Sequence, residues 1–102
     1  MHTQKSITWN GGLSMKPKDI LIEAGFEDFF LLDNFSYEDA IVGITTENKV
    51  VYSFSKMVEW LMKTENFTYE DSVEWIEYNT IRALPYYGQD APIIMYDLED
   101  YI

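Results

Sequence analysis

The stretch from Thr68 to Leu84 constrains the fold most tightly, because its polar and apolar residues follow the helical period and both ends carry matching signals. Thr68 offers a hydroxyl to the first free amides, and Asp71 stands where a capping box has its Glu or Gln. Glu70 and Asp71 suit the positive end of a helix dipole, and Arg82 suits the other end. Pro85 is expected to stop the helix, since the residue before a proline is driven out of the α region. Within 69–84, Val73, Ile76, Ala83 and Leu84 share one side, widened by Trp75 and Ile81, whereas Glu70, Glu74 and Glu77 form an acidic stripe. Like charges at spacings of four and three cost roughly a few tenths of a kcal/mol per pair, so the stripe does not stabilise the helix.

A second helix is predicted over 56–65, capped by Ser55, with Met57, Val58, Trp60, Leu61 and Met62 giving an apolar face wide enough to be well buried. The short link Asn66-Phe67 makes these two helices an αα-hairpin. Upstream, Ala40–Thr45 and Lys49–Ser53 are rich in β-branched residues and read as a β-hairpin over 40–53, with Gly43 marking a bulge or a close approach. Pro17 opens a short helix over 17–24 that Gly25 can end in the left-handed conformation. Phe29–Leu32 reads as a buried strand, with the tail of that helix as the alternative. Beyond Pro85 a turn-rich loop leads through Pro92 to a strand over 93–96 that can join the hairpin's sheet, and then to an acidic, aromatic tail. Residues 1–15 show no sustained periodicity and are expected to form a flexible arm. The whole predicts an α+β fold: a single domain over 16–102 in which a small, mostly antiparallel sheet packs against the αα-hairpin.

The sequence also echoes itself. Phe35-Ser-Tyr-Glu-Asp and Phe67-Thr-Tyr-Glu-Asp lie thirty-two positions apart. Two copies do not make a repeat protein, and chance reuse of a capping sequence is the simpler reading; otherwise Glu38–Ile44 begins as a helix.

With 47% hydrophobic and 17% aromatic residues, the net charge of −11 sits on a folded body rather than a disordered tail. The charge is uneven: 1–18 carries three lysines and no acid, 19–39 seven acids and no base, 40–63 three lysines and two glutamates, and 64–102 nine acids against Arg82 alone. Such a field repels nucleic acid and anionic membranes and attracts a basic protein surface; alternatively, it serves solubility alone. No apolar run approaches the roughly 20 residues of a membrane span, and no basic n-region with an apolar h-region opens the chain, so a cytoplasmic protein is expected.

His2 is the only histidine and cysteine is absent, which leaves no Ser-His-Asp or Cys-His unit and no Cys- or multi-His metal site within one chain. No glycine-rich phosphate loop or EF-hand spacing occurs. Paired carboxylates suit glycoside hydrolysis or Mg²⁺ in principle, but a body of this size has little room for a deep cleft, so no catalytic activity, cofactor or metal is expected. The polar group Tyr78, Asn79 and Arg82, followed by Tyr86 and Tyr87, has the composition of an interface centre. Its structural alternative has Asn79 satisfying loop carbonyls, Arg82 paired with an acid and the tyrosines half-buried. Glu70, Glu74 and Glu77 are the second candidate partner-binding surface, with a solvated helix face as the alternative.

From Ala40 onward, the runs Ala-Ile-Val-Gly-Ile-Thr, Met-Val-Glu-Trp-Leu-Met, Glu-Trp-Ile-Glu-Tyr-Asn-Thr-Ile-Arg-Ala-Leu-Pro-Tyr and Ala-Pro-Ile-Ile-Met resemble a group of small uncharacterised bacterial proteins, often carried by phages and mobile elements. The resemblance covers residues 40–102 and brings no active residues with it. In size and charge, proteins of that kind are similar to phage inhibitors of host defence nucleases, including anti-CRISPR proteins that imitate nucleic acid. The expectation is an acidic inhibitor that occupies the basic groove of a nucleic-acid-binding nuclease without binding nucleic acid itself; the alternative is a self-associating structural or regulatory subunit, a homo-oligomer.

Overall fold

The structure, a computed structural model, describes residues 16–33 and 35–102; the arm expected over 1–15 lies outside the described residues. Helix α1 spans Pro17–Glu23, strands β1 and β2 span Ile41–Ile44 and Val50–Ser53, helices α2 and α3 span Phe54–Thr64 and Tyr69–Trp75, and strand β3 spans Ile93–Met95. The fold is mixed α+β, as the patterning predicts. No described helix is long and apolar enough to cross a membrane.

The three strands lie in the order β1-β2-β3. β1 and β2 form the antiparallel hairpin, and the register slips between Ile41, opposite Tyr52, and Gly43, opposite Val51. This is the bulge that Gly43 suggested; a Cβ on Gly43 would meet nothing within 4 Å, so no close approach requires the glycine. β3 joins β2 in parallel, Val51 facing Ile93 and Ser53 facing Met95, so the sheet is mixed, with one pairing of each kind. The direction follows from the connection: α2, α3 and the turns after them form the long crossover that parallel neighbours need.

Local chemistry explains most boundaries. Pro17 occupies the start of α1, and Gly25, at φ 94°, takes the left-handed conformation that follows it. Thr68 Oγ1 accepts from the Asp71 amide at 3.1 Å, the expected cap of α3. The cap of α2 is Ser53, not Ser55: Ser53 Oγ accepts from the Lys56 amide at 3.2 Å, and the helix starts two residues earlier than expected. Ser53 is fully buried at the end of β2, so strand passes into helix without a loop.

Pro85 does not stop the main helix. After α3 the backbone widens into a π-helical stretch, Ile76–Thr80, and then tightens into 3-10 turns, Ile81–Asp90, that contain Pro85. The bias against α geometry before proline is met here by tighter turns, and the break falls at Gly88, at φ 77° and ψ −151°. Phe29–Leu32 forms no strand. Instead the Leu32 amide donates to the Tyr52 hydroxyl at 3.0 Å, a side-chain partner in place of a ladder.

The echo resolves into one packed site with two conformations. Phe35 and Phe67 lie against the same ring, Trp75, at 5.4 and 6.0 Å. The tyrosines that follow diverge: Tyr37 is fully buried with φ 46°, whereas Tyr69 starts α3 and is 58% exposed. Glu38–Ala40 does begin as a single 3-10 turn, but β1 follows at once.

The core lies between the sheet and α2, with Tyr37, Val50, Tyr52, Met57, Leu61 and Ile76 fully buried. Tyr37 is its hub, with Trp60 at 5.2 Å, Phe35 at 6.0 Å and Tyr52 at 6.5 Å. The buried edge of the main helix is Ser72, Ile76 and Thr80, four residues apart, rather than a purely apolar face. Burial pushes the Tyr52 hydroxyl up to about 12, against the hydrogen bond from Leu32, which favours the phenolate. Burial raises Tyr37 as well.

Candidate functional site

The sequence singled out eight residues, and the structure divides them. Glu70, Glu74 and Glu77 are exposed and line one open groove of about 300 Å³ together with Tyr69, Val73 and Tyr78. A second groove of about 330 Å³ runs along the other flank, between Phe67, Asp71, Glu74, Trp75, Tyr78 and Asn79. Glu74 and Tyr78 border both and form the ridge between them. Arg82 lies over the Tyr78 ring, with its guanidinium carbon 4.6 Å from the ring centroid.

Tyr87 faces elsewhere: it is half-buried, and its hydroxyl accepts from the Asp33 amide at 3.2 Å, pinning the loop that follows α1. Asn79 is half-buried and reaches both this contact region, beside Asp33, Thr80 and Tyr87, and the second groove. Tyr86 stands in solvent, 91% exposed. The acidic stripe, Tyr78 and Arg82 therefore share a face, while Tyr87 belongs to the scaffold.

The same face continues past Tyr69 into a larger groove of about 570 Å³ that sequence reasoning missed. One wall is the stripe Phe54, Val58 and Met62 on α2, where Met62 is 42% exposed rather than buried as the wide apolar pattern suggested. The other wall is Tyr96 and Tyr101 from the segment after β3, with Glu59 and Asp100 also at its lining. The Tyr96 ring packs on Phe54 at 5.1 Å and stands nearly perpendicular to Tyr101, at 85° and 6.5 Å. Asp97 fixes this wall in place. Its Oδ2 accepts from Ser53 Oγ at 3.0 Å and from Ser55 Oγ at 3.5 Å, which ties the terminal segment to the N-terminus of α2, where a negative charge is favoured. The hint available in the sequence was the pair Tyr96 and Tyr101 bracketing three acids, Asp97, Glu99 and Asp100.

The bases near these grooves in sequence are Lys56, Lys63 and Arg82. The described ion pairs lie elsewhere: Lys16 with Glu38 at 2.8 Å, which raises the Lys16 ammonium, and Lys49 with Glu47 at 3.6 Å. Among the described residues no group of three or more His, Cys, Asp or Glu is placed to hold a metal ion. The arrangement is an acidic surface studded with exposed tyrosines.

No family model, curated protein or solved structure matches the chain. The phage-type resemblance of residues 40–102 gains no relative to rest on.

Proposed function

We propose that this chain is an acidic protein-binding inhibitor that presents the α3 face to a basic, nucleic-acid-binding surface of another protein, as a phage or mobile-element inhibitor of a host defence nuclease would. The observation that carries the reading is the exposed stripe of Glu70, Glu74 and Glu77, which with Tyr69 and Tyr78 lines one groove and at Glu74 and Tyr78 borders a second. Carboxylates at one-turn spacing present negative charge to Lys and Arg side chains as phosphates do, and tyrosines supply rigid contact area. Attraction of this kind speeds association and weakens as salt shortens the screening length from about 10 Å at 0.1 M to about 3 Å at 1 M.

The test is capture from bacterial lysate on immobilised protein, followed by elution with salt and, separately, with DNA or RNA. A basic nucleic-acid-binding protein that elutes with both, and that Glu70→Gln/Glu74→Gln/Glu77→Gln no longer captures, is the expected result. Capture indifferent to salt and to those three changes would sink the proposal.

A second reading, a self-associating subunit, draws on exposed Tyr96, Leu98, Tyr101 and Ile102 at the end of the chain. Sedimentation at rising concentration separates the two: a monomer throughout removes the second reading, and a dimer formed without any basic partner favours it.

A further inference from the structure

Building on the reading of a basic partner, we infer that the groove between α2 and the terminal segment is a cage for a cation, and that it takes an arginine side chain of that partner. Tyr96 and Tyr101 pack edge to face, at 85° with ring centroids 6.5 Å apart, and both rings keep more than half of their surface exposed at the groove. Tyr69 lines the same groove from the start of α3, and Phe54 backs Tyr96 at 5.1 Å. The electron-rich face of an exposed aromatic ring attracts a cation. Glu59 and Asp100 place two carboxylates at the lining, so a guanidinium there would find both stacking surface and hydrogen-bond acceptors.

Three observations favour this occupant. The tyrosines are half to two-thirds exposed, Tyr69 58%, Tyr96 56% and Tyr101 68%, although burying such rings normally stabilises a fold. Their wall is held by Asp97 through Ser53 and Ser55, so the rings are set in place before any ligand arrives. The chain itself stacks a guanidinium on tyrosine on the adjoining part of this face, Arg82 over Tyr78 at 4.6 Å. Arginine fits better than lysine because its planar, weakly hydrated head lies flat on a ring while its edge reaches carboxylates. A second copy of this chain is a poorer occupant, since each copy carries a net charge of −11.

The test is a two-dimensional amide NMR titration of the full chain with the tripeptide acetyl-Gly-Arg-Gly-amide, with its citrulline counterpart as the uncharged control. Shifts centred on Tyr69, Tyr96 and Tyr101 with the arginine peptide and none with citrulline are expected. Tyr101→Ala should weaken binding by about 3- to 10-fold, and Tyr101→Phe should preserve it. Tyr101 is exposed in the terminal turn, so neither change threatens the fold. Equal binding of citrulline, shifts confined to Glu70, Glu74 and Glu77, or indifference to Tyr101→Ala would each overturn the cage. Partner capture lost on neutralising the stripe but kept in Tyr101→Ala removes the cage and leaves the inhibitor reading. An arginine peptide seated at the tyrosines without capture of any basic protein does the reverse.

Discussion

Changing Tyr52 to Phe removes one oxygen atom from the centre of the protein, and its effect should depend on pH in a way that can be worked out beforehand. The Tyr52 hydroxyl is fully buried and accepts the Leu32 amide at 3.0 Å. At neutral pH the variant strands that amide in the interior, which costs about 1–3 kcal/mol. The hydroxyl of the natural protein is pushed up to about 12 by burial, whereas an unfolded tyrosine titrates near 10. A group whose value is raised on folding contributes stability that is complete below the unfolded value and is lost as pH climbs through the folded one. Between pH 9 and pH 11 the natural protein should therefore lose about 1.4 kcal/mol through Tyr52 alone, a loss that Tyr52→Phe cannot suffer. Tyr37, which burial also raises, is present in both proteins, so its contribution drops out of the difference. Urea unfolding of both at pH 7, 9 and 11 gives the result directly. The stability gap should hold from pH 7 to 9 and shrink by about 1.4 kcal/mol at pH 11. A gap constant across that range would show that the neutral, buried state of Tyr52 has been misread.

Ser53 and Thr68 both cap helices, but only Ser53 is buried and shared with Asp97. In thermal melts Thr68→Ala should cost about 1 kcal/mol and Ser53→Ala clearly more, about 2–3 kcal/mol, because it also leaves the half-buried Asp97 carboxylate short of a donor. The glycines give a second contrast. Gly43→Ala should fall within about 0.5 kcal/mol of the natural protein, since the added Cβ meets nothing within 4 Å and its backbone lies outside the left-handed region. Gly25→Ala, at φ 94°, should lose about 1 kcal/mol or more by the same assay, and equal effects at the two sites would refute the backbone argument.

Elements set by neighbouring residues were legible in the sequence. The cap at Thr68, the proline and glycine around α1, the β-branched runs of the hairpin and the bulge beside Gly43 each depend on contacts within a few positions, and each appears in the structure. What could not be read depends on contacts across the chain. Ser55 and Ser53 are equally good caps on paper; the choice of Ser53 is reinforced by Asp97, forty-four residues away. Tyr37 and Tyr69 sit in the same pentapeptide pattern, yet one is the hub of the core and the other is surface. The helical turns past Pro85 replace a stop that local bias favours. The acidic stripe was visible because helical spacing alone assembles it. The tyrosine groove was not, since its residues come from positions near 54, 69, 96 and 101 and meet only once the crossover has closed.

The sheet has consequences for how any partner can attach. Its two outer strands are β1, kinked by the slip between Ile41 and Gly43, and β3, three residues long and entered through Pro92. Bulged, short and proline-flanked margins make poor templates for an incoming extended peptide. Recognition by β-augmentation is thereby disfavoured, as is edge-to-edge aggregation of this aromatic-rich chain. On the function proposed above, a visitor would be read through side chains rather than backbone, on the face built by α2, α3 and the terminal turn.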